Sequence, residues 1–88
     1  MPYRTEISPA AGRDLRRLPK PIRDRLEPFI LALADEPRPH GVRKVRGTEA
    51  TYRIRAGDYR IAYDIDDRQQ LVVVLHVGRR TETRYRRL

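Results

Sequence analysis

Three arginines fall at alternate positions on either side of a tight turn: Arg53 and Arg55 before Ala56-Gly57-Asp58, and Arg60 after it. In a strand, every second side chain points to the same face. The turn therefore brings three guanidinium groups onto one surface. Guanidinium is planar, stays charged and donates in a fork that matches phosphate oxygens. Like charges this close repel unless an anion joins them. The chemistry these residues suit is phosphate binding and stabilisation of negative charge that builds at phosphorus. A solvated edge, on which arginine serves only solubility, is the other reading of the same pattern.

The rest of the chain leans the same way. Of its 88 residues, 20 are Lys or Arg and 12 are Asp or Glu, for a formal net charge of +8. Only Lys20 and Lys44 are lysine; every other basic residue is arginine. Residues 43–60 carry +4 and residues 79–88 another +4, so two short segments equal the whole net charge. A polyanion, either nucleic acid or an acidic protein, is the partner such a chain attracts. The absence of cysteine excludes a disulfide framework and any Cys-based metal site or nucleophile. His40 and His76 alone do not make a structural zinc site. The longest apolar runs, Phe29–Ala34 and Leu71–Leu75, are too short to span a bilayer. Charged residues from Arg4 onward give no signal-peptide pattern. A cytoplasmic protein with no membrane partner is expected, folded as a single domain over residues 1–88.

The elements that must position the arginines follow from periodicity. Tyr3–Ser8 alternates and reads as a first strand. Ser8-Pro9 is a helix start, and the helix runs to Leu18. Pro19-Lys20-Pro21 starts a second helix, in which Ile22, Leu26, Phe29, Ile30 and Leu33 form an apolar stripe. Pro28 inside that stripe is predicted to kink or split the helix. Then the period changes. Thr51–Arg55 and Tyr59–Ile65 alternate, with Tyr52, Ile54, Tyr59, Ile61, Tyr63 and Ile65 facing the helices. Leu71–Val77 is nearly continuous apolar sequence, as a central strand is. The predicted fold is α+β: a strand, two helices, then a three-stranded antiparallel meander with the helices on one face.

With these residues in view, the chain resembles the RelE/ParE superfamily of bacterial toxins. The likeness lies in Asp35-Glu36-Pro37-Arg38-Pro39, Val45-Arg46-Gly47, Tyr52-Arg53-Ile54-Arg55, Gly57-Asp58-Tyr59-Arg60, Tyr63-Asp64-Ile65-Asp66 and Val77-Gly78-Arg79-Arg80 with a following Tyr85. It spans essentially the whole chain and is most specific from Tyr52 to Asp66. Within the superfamily the chain is more similar to the RelE branch. That resemblance implies a microbial-ribonuclease-like fold. It implies the toxin of a type II toxin–antitoxin system, a ribosome-dependent endoribonuclease that cuts messenger RNA in the decoding site. It also implies 2′-hydroxyl attack on the scissile phosphate without metal or other cofactor. The implied partners are a cognate antitoxin, mRNA on the ribosome, and ribosomal RNA. Arg60 matches the family arginine that holds the scissile phosphate, and Arg80 the arginine at the phosphate or leaving group. Tyr85 matches the tyrosine that stacks on or acts at the reacting nucleotide. Arg53 and Arg55 stand where a RelE-type toxin has two basic residues, lysines in the best-known member.

That departure sharpens the proton problem. The reaction needs a group that removes the 2′-hydroxyl proton and one that protonates the leaving oxygen. Arginine stabilises charge but is a poor base. Tyr85 is the expected proton-handling or base-stacking residue. His76 is read as a histidine packed near the end of its strand, with an auxiliary role in catalysis as the alternative; an unbroken strand would set it on the face of Val72, Val74 and Arg80. Glu49 and Asp58 read as loop and turn residues. Two other functions compete: a ParE-type inhibitor of DNA gyrase on the same fold, and a non-catalytic RNA-binding module. The joint presence of Arg60, Arg80 and Tyr85 speaks against the gyrase inhibitor.

Overall fold

Ser8 ends the first strand and begins the first helix. The computed structural model describes residues 2–79, and there β1 (Arg4–Ile7) passes directly into α1 (Pro9–Arg17). The Ser8 side chain accepts from the Ala11 N–H at 3.1 Å, and Pro9 occupies the first turn, where its missing N–H costs nothing. After Leu18-Pro19 comes α2 (Lys20–Ala32), then the edge strand β2 (Arg43–Lys44). Three longer strands follow: β3 (Thr51–Ala56), β4 (Tyr59–Asp66) and β5 (Leu71–Arg79).

The strands form one sheet in the order β1-β5-β4-β3-β2. β1 runs parallel to β5 and the other pairs are antiparallel. The α+β class and the meander thus stand as expected, with the two-residue strand β2 added at the edge beside β3. No helix among the described residues is long and apolar enough to cross a membrane.

The core lies between the helices and one face of the sheet. Tyr59, Ile61, Tyr63 and Ile65 of β4 meet Val72, Val74 and Val77 of β5, with Ala11 from α1 and Leu26 and Ile30 from α2 packed over them. Tyr63 is wholly buried, and its hydroxyl donates to the Pro37 carbonyl at 2.7 Å. Burial raises that phenol well above its ordinary range.

Two local features differ from expectation. Helix α2 runs unbroken through Pro28. Pro28 lies on the exposed side, so the carbonyl it leaves without a donor faces water. The β3–β4 turn holds two residues rather than three, because Ala56 pairs with Tyr59. Gly57 takes φ +62° at its first position, as a turn matched to strand twist requires.

An ionic cluster closes the other end of the sheet. Arg38, from the loop after α2, donates to both carboxylate oxygens of Asp67, at 3.2 and 3.0 Å. Its guanidinium carbon sits 5.1 Å from the centroid of the Tyr52 ring, and the Tyr3 hydroxyl donates to Asp67 at 2.6 Å. Arg38, and after it Tyr3, hold the Asp67 carboxyl below its usual range.

A Cβ at Gly57 would meet nothing within 4 Å, so the cost of replacing it is one of backbone conformation alone. Gly57→Ala is expected to lower unfolding free energy by about 1–2 kcal/mol, and Gly57→Asn by less, in urea titrations. Because the folded-state pKa of Asp67 is depressed, its stabilising contribution is present above the ordinary carboxylate value and is lost as pH falls. Asp67→Asn should therefore lower the denaturation midpoint at neutral pH, and the gap to the parent should close below about pH 4.

Candidate active site

The face of the sheet turned away from the helices carries the arginines. Arg55 lies directly opposite Arg60 across β3 and β4, and Arg43 of β2 lies opposite Arg53. The sequence reading of Arg53, Arg55 and Arg60 as one surface is met by this register. Arg43 joins them, although a strand of two residues has no periodicity by which it would be recognised.

Arg43, Arg53, Arg55 and Arg60 line a concavity of about 50 Å³ together with Gly41 and Ile54. Ligand pockets that enclose whole small molecules run to roughly 300–1,000 Å³. The scale here suits a single anionic group on a longer chain. Among the described residues, no carboxylate forms an ion pair with Arg43, Arg53 or Arg55. Directly opposed like charges destabilise a strand pair. A phosphate seated among them turns that repulsion into attraction and meets donors held by strand backbone.

His76 reaches this face through an irregularity in β5. Tyr63 pairs with Val74 and Ala62 pairs with His76, which leaves Leu75 without a partner as a β-bulge. Val72, Val74 and Val77 therefore all point into the core, while His76 shares the opposite face with Ala62. The unbroken strand of the sequence reading would have put His76 beside Val72 and Val74; the bulge corrects that. The row across the sheet reads His76, Ala62, Arg53, Arg43, and the next reads Gly78, Arg60, Arg55.

The imidazole Nδ1 lies 2.8 Å from Asp14 Oδ2 of α1, and the Val77 N–H donates to the same oxygen at 3.0 Å. Asp14 is 5% exposed. It was not among the sequence candidates, since 62 residues separate it from His76. Its one signal is spacing: Ala11, Asp14 and Leu18 share a helical face, so an acid sits in the apolar stripe of α1.

Arg79 lies on the other side of the sheet, paired with Tyr59. There it lines a groove of about 490 Å³ with Ile22, Leu26 and Phe29 of α2. Arg80 and Tyr85 lie outside the described residues.

Comparison with known proteins agrees with this architecture. Residues 5–84 match the family described as the ParE toxin of the type II toxin–antitoxin system parDE. The chain is 38% identical to Toxin RelG of Mycobacterium tuberculosis over 88 residues, covering 99% of this chain and all of the relative. It is 29% identical to the mRNA interferase toxin RelE of Escherichia coli, covering 91% of this chain and 85% of that protein. The toxin–antitoxin complex RelBE2 of Mycobacterium tuberculosis contains a chain that superposes with a TM-score of 0.81 at 34% identity, over 91% of this chain and all of that one. A shared fold, a match across nearly the full length and relatives above a third identical lead to one conclusion: this chain belongs to the RelE/ParE family of type II toxin–antitoxin toxins.

Proposed function

We propose that this toxin is a ribosome-dependent endoribonuclease that cleaves mRNA in the decoding site, and that a cognate antitoxin neutralises it. The observation that carries the reading is the set of four arginines around a concavity sized for one anionic group. The name of the Escherichia coli relative, an mRNA interferase, supports it. So do the structures of relatives solved as toxin–antitoxin complexes, which support the antitoxin as partner.

In this reading Arg60 holds the scissile phosphate, with Arg53, Arg55 and Arg43 around it. Their donors are fixed before substrate arrives, so little reorganisation is needed as charge grows on the phosphoryl oxygens. The ribose 2′-hydroxyl attacks the adjacent phosphorus, a reaction that needs no metal when guanidinium groups carry the charge. Arg80 contributes at the phosphate or leaving group, and Tyr85 stacks on the nucleotide or supplies a proton, as the family resemblance implies. Because strand backbone positions Arg53, Arg55 and Arg60, the site depends on register rather than on loop closure.

Mapping of 5′ ends on programmed ribosomes, with and without the protein, tests the reading. Cuts within the decoding-site codon are expected; intact mRNA at stoichiometric protein refutes it. A parallel gyrase supercoiling assay addresses the ParE-type alternative, and no inhibition is expected. Arg60→Ala should reduce the single-turnover cleavage rate by about 100- to 1,000-fold, with the folded fraction at the assay temperature retained. Arg43→Ala, at the exposed edge, should cost about tenfold, and raised salt should narrow that gap to the parent.

A further inference from the structure

We infer that His76 is the general base of this reaction, held in position by Asp14. The inference rests on the ribonuclease reading above and supplies what the arginines lack, a group that can accept a proton.

The tautomer follows from the hydrogen bonds. The Val77 N–H can only donate, so Asp14 Oδ2 is an acceptor, and Nδ1 of His76 is the nitrogen that carries a proton toward it. That leaves the Nε2 lone pair on the far side of the ring. A carboxylate behind a histidine fixes the ring and stabilises the imidazolium that forms when Nε2 takes a proton. Capping one backbone N–H requires no charge; a neutral side chain such as Asn or Ser would serve. A buried carboxylate is costly to hold, and its presence suits a partner that gains positive charge during turnover.

The register puts His76 on the face that carries the arginines, beside the concavity. His76 pairs with Ala62, and Arg60 pairs with Gly78, which makes His76 and Arg60 diagonal neighbours on one face. Such positions are roughly 7–8 Å apart at Cα. A methyl group and a glycine are all the sheet places between them. A phosphate on Arg60 and Arg53 therefore has the imidazole along one side, within the span of a ribose.

Nε2 takes the 2′-hydroxyl proton as the 2′-oxygen bonds to phosphorus. The bond from phosphorus to the 5′-oxygen breaks, and that oxygen takes a proton from solvent or from the Tyr85 hydroxyl. The products are a 2′,3′-cyclic phosphate and a 5′-hydroxyl, and the imidazolium returns its proton to water. Asp14 touches no substrate and acts as a positioning residue.

The test is single-turnover cleavage at saturating toxin, with the affinity of each variant for programmed ribosomes measured in parallel. Among the described residues, the ionisable groups on the elements beside this stretch of β5 are Asp14 of α1, Glu6 of β1, Arg60 of β4 and, one strand further, Arg53 of β3. Guanidinium groups keep their charge throughout, so a limb in the pH–rate profile that disappears in His76→Gln but persists in His40→Gln is the one carried by the His76–Asp14 pair. His76→Gln is expected to cleave at least about 100-fold more slowly with ribosome affinity retained, and to lose that limb. Asp14→Asn is expected to cost about 10- to 100-fold and to move the limb. Tyr85→Phe should keep it. Cleavage by His76→Gln at the parental rate with the limb intact overturns the inference while leaving the ribonuclease reading in place. A rate loss that merely follows lost ribosome affinity or lost folded fraction also overturns it, and assigns the pair to the fold. Failure of the parent protein to cut mRNA overturns both.

Discussion

The constraint on which the rest of the structure depends is that β1 is shorter than the strand it accompanies. It stops at Ile7, opposite Val74, while β5 continues to Arg79. Backbone groups on that side of β5 would be left unpaired beneath a helix, where water does not replace the lost partners. Helix α1 supplies them. Ser8, already capping the helix, donates its hydroxyl to the Leu75 carbonyl at 3.3 Å, and Asp14 accepts from the Val77 N–H. The bulge sits at the first of these anchors, Leu75, and it decides which side chains of β5 are core and which are surface.

The two faces of the sheet then solve opposite problems. Toward the helices, β-branched and aromatic residues lose water and drive folding. On the other face, Arg55 and Arg60 stand opposed at some cost to the strand pair. The apolar face has to hold what the charged face tends to push apart. Placement on adjacent strands gives the guanidinium groups fixed separations that a loop would not maintain. Arg38 lies apart from this set, bound to Asp67 and stacked on Tyr52, and so works in the fold.

Much of this was legible in the chain. The alternation of Tyr59, Ile61, Tyr63 and Ile65 fixes a face, and once it is fixed, Arg53, Arg55 and Arg60 must share the other. Ser8-Pro9 marks the start of α1 through hydrogen-bond chemistry that any helix needs. Other features leave no local trace. Leu71–Val77 is apolar at nearly every position, so a slip of one residue at Leu75 breaks no pattern, and His76 was placed on the wrong side. Pro28 does not split α2, because the carbonyl it frees lies on the exposed side, which sequence alone does not reveal. Asp14 and His76 meet through tertiary structure alone. Arg80 and Tyr85 rest on resemblance.

The arginine face has a consequence for how the molecule treats its own kind. An open sheet has two edges, and each offers unpaired backbone to any other extended chain. Here both edges are short and carry charge: β2 consists of Arg43 and Lys44, and β1 exposes Arg4 and Glu6 beside Ile7. Arg43 lies on the β2 edge and in the concavity at once. A second copy approaching β2 against β2 would set cation against cation, while a phosphate chain meets no such barrier. The same charge that admits a polyanion therefore turns away other sheets, and selectivity against self-association comes from the residues that bind the ligand.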